Sequence, residues 1–324
     1  MHLTSPQQVL VSSPVLSALI PVVLLIAIGY IAGKQGWIRA EASKDLSNLV
    51  FVILTPALLF RTMSGVHLEQ LDFRPVGAYF VAVGILFLAT LLVQGFNRRG
   101  AVLALACTFS NTVMIGIALV GLAYGPDALV ILLTLVSVHA LVLLTSGTVV
   151  LEVALAHEAK PVAGAQRHML TTVAKALASA VIHPVTLPII AGLLFAQTGW
   201  LIPELLDKPL LWLGNAFGPL ALLLVGLTLS ATQTGAHWRA ALALAGAKNI
   251  VHPALVTLLA ILFGVQGLPL VVMVVAAAMP IGANVFLFSQ RYEVAEELVM
   301  ASVVVSTVMA LVTIPVTMFL AGRF

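Results

Sequence analysis

Charged residues along this chain come in short clusters separated by long apolar runs. Among the intervals that carry no Asp, Glu, Lys or Arg are 75–97, 100–126, 128–151, 176–203, 209–238, 249–290 and 298–322. A membrane-spanning helix needs about 20 consecutive apolar residues, so each interval holds at least one span, and 249–290 is long enough for two. The whole pattern predicts ten spans, over 14–34, 45–64, 75–96, 101–123, 127–152, 170–197, 209–232, 238–263, 268–290 and 294–321. Ten spans place both termini on the same side.

Composition agrees. The 324 residues are 61% hydrophobic and 8% charged, with a mean hydropathy of +1.14, where soluble domains carry about 25% charge. A secreted protein, a soluble enzyme and a nucleic-acid binder are excluded. The net charge of +3 changes the picture only through its distribution. Loops after odd-numbered spans hold nine basic residues (Lys34, Arg39, Lys44, Arg98, Arg99, Lys160, Arg167, Arg239 and Arg291), and the opposite side holds three, Arg74, Lys208 and Arg323. Basic loops stay in the cytoplasm, so both termini are expected to be non-cytoplasmic. A single cysteine, Cys107, excludes a disulfide framework or a Cys-based zinc site. Residues 1–13 lack the basic start of a cleaved signal peptide.

Glycines and prolines suggest a duplication. Pro21 and Pro184, Gly29 and Gly192, and Pro56 and Pro219 are each 163 residues apart. Farther on the spacing becomes 168, laying Thr112 and Gly116 over Pro280 and Asn284. The chain then divides into a first five-helix repeat (1–157), a cytoplasmic linker (158–168) and a second repeat (169–324). Five is odd, so the halves have opposite orientation, the inverted-repeat plan of many secondary transporters.

Matched spans 4 and 9 also carry the polar and helix-breaking residues. Span 4 contains Thr108-Phe-Ser-Asn-Thr-Val-Met-Ile-Gly116, and span 9 contains Met279-Pro-Ile-Gly-Ala-Asn284. Pro280 removes a backbone donor, and Gly116 and Gly282 tolerate unwound backbone. Freed backbone groups at membrane depth survive only where protein or a water-filled cavity satisfies them. Two half-helix N-termini then point positive charge at the midplane, which suits an anionic ligand. Simple kinks with packing polar residues are the competing account.

These stretches resemble the auxin efflux carrier family, which includes the plant PIN carriers and bacterial malonate and malate permeases. The matching residues are Ile26 to Lys34, Leu46 to Phe51 with Thr55 to Arg61, and Ser110-Asn-Thr. Further along they are Pro219-Leu-Ala-Leu with Gly226, Lys248 followed by Pro253, and Met279-Pro through Tyr292. The resemblance implies an all-α polytopic protein with two inverted five-helix repeats, spans 4 and 9 crossing at their breaks, and spans 1, 2, 6 and 7 forming a scaffold. It also implies a small organic carboxylate as substrate and a bacterial inner membrane as location. Val113 and Ala118 depart from the family's usual Gly and Pro, and His183 replaces the usual Asn of the span 6 Asn-Pro.

The expected substrate-binding set is Asn111, Ser110, Thr112, Gly116, Pro280, Gly282, Asn284, His139, Asn48, Thr55 and Lys248. The Asn111 amide can donate to a carboxylate or accept from freed backbone N–H. Lys248, ten residues into span 8, is too deep to reach the headgroups; it either meets the substrate anion or bonds carbonyls at the span 9 break. His139 can face the cavity and carry a proton, whereas His183 and His252, each before a proline, can bond freed carbonyls. Asn48 and Thr55 are candidates for lining the substrate path, and Arg61 is expected to reach the headgroups. No cofactor is expected; proton or sodium coupling and a homodimer are both compatible with the sequence. Two other readings stand beside the carboxylate carrier: a sodium-coupled bile-acid-type symporter and a non-transporting membrane sensor or receptor.

Overall fold

The structure, a computed structural model, describes residues 14–66, 72–158, 182, 184–231 and 237–323. The described residues are all-helical. Six helical stretches are long and apolar enough to cross a bilayer: Ala42–Met63, Arg74–Gln94, Thr112–Leu155, Glu204–Ala231, Trp238–Leu262 and Glu296–Ala321. Shorter apolar helices cover Ile20–Lys34, Thr186–Gln197 and Gly267–Ala278. Residues 159–168 of the expected linker and His183 lie outside the described residues.

In chain order the helices are α1 (Pro14–Lys34), α2 (Ala40–Leu49), α3 (Thr55–Met63), α4 (Arg74–Gln94), α5 (Arg98–Thr108), α6 (Ile117–Glu158) and α7 (Thr186–Gln197). They continue with α8 (Glu204–Ala231), α9 (Trp238–Gly246), α10 (His252–Leu262), α11 (Gly267–Ala278), α12 (Asn284–Arg291) and α13 (Glu296–Ala321). Wide π turns at Val50–Leu54 and Ala247–Val251 join α2 to α3 and α9 to α10, and a third, Thr112–Gly116, opens α6. An unbroken α6 of 42 residues would measure about 63 Å at 1.5 Å per residue, twice the ~30 Å hydrocarbon core. Gly125, with φ 81°, followed by Pro126, kinks it into two arms.

The helices sort into two packed groups. One joins α1 to α8, and α3 to both α7 and α8; the other joins α4 to α5 and α10, α10 to α11, and α13 to α9 and α11. The first group is drawn together by missing side chains. A Cβ on Gly29 would lie 2.0 Å from the Leu223 carbonyl oxygen, and one on Gly226 would lie 1.9 Å from that of Ile26. Without lipid-excluding hydrophobicity to hold them, membrane helices rely on such close backbone approach. Gly192 plays the same part between α7 and α3, where a Cβ would meet the Phe60 carbonyl oxygen at 2.7 Å.

Large apolar side chains also cover the outside, among them Leu92, Val93 and Leu205 at 80–85% exposure, as lipid contact requires. All four tryptophans are exposed, and Trp37, Trp200 and Trp238 sit at helix ends, the depth at which indole rings meet headgroups. Arg61 departs from expectation. Its Nε and Nη2 hold the Asp207 carboxylate at 2.7 and 3.0 Å, locking α3 to the start of α8. At the far end of α6, Arg98 binds Glu158 through its backbone N–H at 2.8 Å and its guanidinium at 2.6 Å, holding that carboxyl below the usual carboxylate range. The same guanidinium donates to the Tyr292 carbonyl, and the Tyr292 hydroxyl donates to Glu152.

Candidate functional site

α5 stops at Thr108 and α11 at Ala278, and the two interrupted segments meet. Ser110 and Ile281 form an isolated antiparallel bridge. The Asn111 N–H donates to the Pro280 carbonyl at 2.8 Å, and the Gly282 N–H donates to the Phe109 carbonyl at 2.9 Å. Each break supplies what the other lost, so backbone groups freed at membrane depth are served by protein. Proximity is what demands glycine here: a Cβ on Gly282 would lie 2.8 Å from the Phe109 ring. Gly116 is different, because a Cβ there finds ordinary contacts at 3.5 Å or more.

Beyond the breaks the chain becomes helical again. Asn111 caps the turn at 112–116, its Oδ1 accepting from the Met114 N–H at 3.3 Å, and Gly116 N–H closes back on the Asn111 carbonyl. Its amide side chain is half-buried, while Ser110 and Thr112 beside it are buried. Asn284 opens α12 and is half-buried. Two helix starts therefore leave the crossing, one from each segment, with N–H groups directed toward it.

Lys248 answers the opposite polarity. Its Nζ, fully buried, donates to the carbonyls of Ala277 at 2.5 Å and Met279 at 2.8 Å. The ammonium thus sits on the C-terminal end of α11, where a helix presents unpaired carbonyls and partial negative charge. Of the two uses the sequence left open for Lys248, carbonyl bonding at the break is the one found. Ser306 from α13 completes the second break by accepting from the Ile281 N–H at 3.0 Å, and Asn249 donates to the Ser306 carbonyl at 2.8 Å.

Eight of the eleven candidates line or adjoin this crossing through the two breaks and Lys248: Ser110, Asn111, Thr112, Gly116, Pro280, Gly282, Asn284 and Lys248. His139 is buried against it, with its ring centroid 4.9 Å from that of Phe109. The remaining two are elsewhere. Thr55 is buried, and its hydroxyl donates to the Val50 carbonyl across the first π turn; Asn48 is exposed on α2. Thr55 belongs to the α1, α3, α7 and α8 group, and α2, which carries Asn48, packs on α8. His252 bonds no carbonyl, since both of its ring nitrogens lack a hydrogen-bond partner.

Two participants went unrecognised in the sequence. Tyr79 from α4 shares a hydrogen bond with the Ser110 hydroxyl at 3.2 Å, and Ser306 holds Ile281. The signal for Tyr79 was a hydroxyl inside an apolar run, whereas Ser306 lay among Ser302, Thr307 and Thr313 and did not stand out. An apolar cavity of about 530 Å³ opens between α10 and α13, lined in part by Asn249, Pro253, Thr313 and Val316; none of its lining residues belongs to the bridge itself.

The family model described as membrane transport protein matches residues 14–318. A protein of Rhizobium meliloti named "Putative malonate transporter" is 27% identical over 305 residues, covering 91% of this chain and 92% of that one. An uncharacterized transporter of Methanocaldococcus jannaschii is 27% identical over 311 residues, covering 90% of this chain and 94% of its own length.

Proposed function

The chain belongs to the membrane transport protein family, that of the auxin efflux carriers, and from this premise we propose that it is a secondary carrier of small organic carboxylates working by alternating access. The substrate carboxylate binds at the crossing, against the helix starts at Thr112 and Asn284 and the amide of Asn111. The observation that carries this reading is the distribution of charge at the breaks. Lys248 already serves the carbonyl end of α11, while no described carboxylate caps either helix start, whose positive polarity favours an anion.

In this reading ten spans form two inverted repeats. Reciprocal packing supports it: Gly29 of α1 sits on α8 and its counterpart Gly192 of α7 sits on α3, as a two-fold exchange of halves would require. The group built on α1, α3, α7 and α8 acts as scaffold, and the group carrying the breaks moves against it. The nine-to-three distribution of basic loop residues favours non-cytoplasmic termini in a bacterial inner membrane. Malonate is the leading substrate, drawn from the name of the Rhizobium relative.

Purified protein in proteoliposomes should accumulate labelled malonate, and unlabelled mono- and dicarboxylates should compete in proportion to their affinity. Absence of uptake or exchange for every carboxylate tried, under proton and sodium gradients alike, would overturn the proposal.

A further inference from the structure

Three helices bring a second polar cluster against the first break. His139 from α6 sets its ring edge-on to Phe109, and its centroid lies 5.8 Å from that of Tyr79. His252, at the start of α10, approaches Tyr79 from another side at 5.3 Å. His139 is 2% exposed and His252 0%, and none of the four ring nitrogens has a hydrogen-bond partner. A neutral imidazole carries one donor and one acceptor. Burying two of them unpaired around one tyrosine is unfavourable, and two phenylalanines would fill the same space without that penalty. Orphaned polar groups of this kind mark a chemical role or an unseen partner, and ionisable side chains inside a membrane point the same way.

The surroundings narrow the role. Lys248, four residues before His252, is fully buried, and the intervals 75–97, 100–126, 128–151 and 249–290 that supply the surrounding helices contain no Asp or Glu. α4 contributes Tyr79, α5 contributes the buried thiol of Cys107, and α11 presents only apolar side chains. A proton arriving at either imidazole therefore meets a like charge and no counter-ion. The missing counter-ion is the one the crossing is built to receive.

Resting on the carrier reading above, we propose that His139, Tyr79 and His252 form a proton-binding site linked to carboxylate binding at the crossing. A proton from solvent adds to an unpaired ring nitrogen of one histidine, while the carboxylate remains ionised. Each favours the other, and by the same factor in both directions. Tyr79 joins the two sites, since its hydroxyl contacts Ser110, the neighbour of Asn111. Occupied together, they carry one negative charge fewer across the membrane than the anion alone.

The test is calorimetric titration of malonate into the full chain in detergent at about pH 7, within the range where imidazoles titrate, in two buffers of different ionisation enthalpy. The wild type should take up close to one proton per malonate bound, and the double variant H139F/H252F close to none. H139Q/H252Q serves as a second pair, and only variants that elute and melt as the wild type does are scored. Malonate binding without proton uptake in the wild type overturns the inference and leaves the carrier reading standing, as does undiminished uptake in a folded double variant. Failure of malonate and every other carboxylate to bind overturns the carrier reading, and this inference with it.

Discussion

Lys248 and Asn111 both touch the breaks, but removing them should have different consequences. Lys248 is a buried ammonium whose two partners, the Ala277 and Met279 carbonyls, would be left without a donor by Lys248→Met. Each orphaned group costs about 1–3 kcal/mol, so the variant should melt well below the wild type in detergent; an unchanged melting temperature would show that the carbonyls find other donors. Asn111 is separated from its capping role by choosing the right replacement. Asp keeps the acceptor for the Met114 N–H and adds a negative charge, so Asn111→Asp should fold normally and lose most malonate affinity. Wild-type affinity in that variant would assign Asn111 to capping alone. Depth along a span could be read directly from the sequence, which is why Asn111 and Lys248 stood out. Partners could not. Nothing local pairs Arg61 with Asp207, Tyr79 with Ser110 or Ile281 with Ser306, since each pair joins segments far apart in the chain.

At the scale of elements, close approach makes predictions that bulk alone would not. Gly226→Ala pushes a methyl into the Ile26 carbonyl, which belongs to backbone and cannot turn aside. Overpacking usually costs about 1–3 kcal/mol, and the α1–α8 crossing should lose at least that, read as a lowered melting temperature. Gly116→Ala meets only ordinary contacts and should melt as the wild type does. Where helices break was legible because proline, glycine and asparagine interrupt otherwise apolar runs. Which face of each helix turns inward was not. In a soluble helix the apolar stripe marks the buried side, but α4 and α11 are apolar all round. That is why the sequence could not place Asn48 and Thr55 relative to the crossing, and why His252 was given carbonyl partners it does not have.

For the whole molecule, orientation is open to direct measurement. In a Cys107→Ser background, Ser64→Cys at the end of α3 should react with a membrane-impermeant maleimide added to intact cells, and Arg39→Cys before α2 should react only after the membrane is opened. The reverse pattern would invert the topology. The crossing has one more consequence at this scale. α5 and α11, 11 and 12 residues long, rise about 16 and 18 Å, each roughly half of a ~30 Å core. Their antiparallel meeting would therefore set an anion bound as proposed near the middle of the electric field across the membrane. A full crossing is worth about 2.3 kcal/mol per charge at 100 mV, so the step in from either side carries about half of that. Neither entry nor release then bears the whole electrical work, and membrane voltage should act on both almost equally.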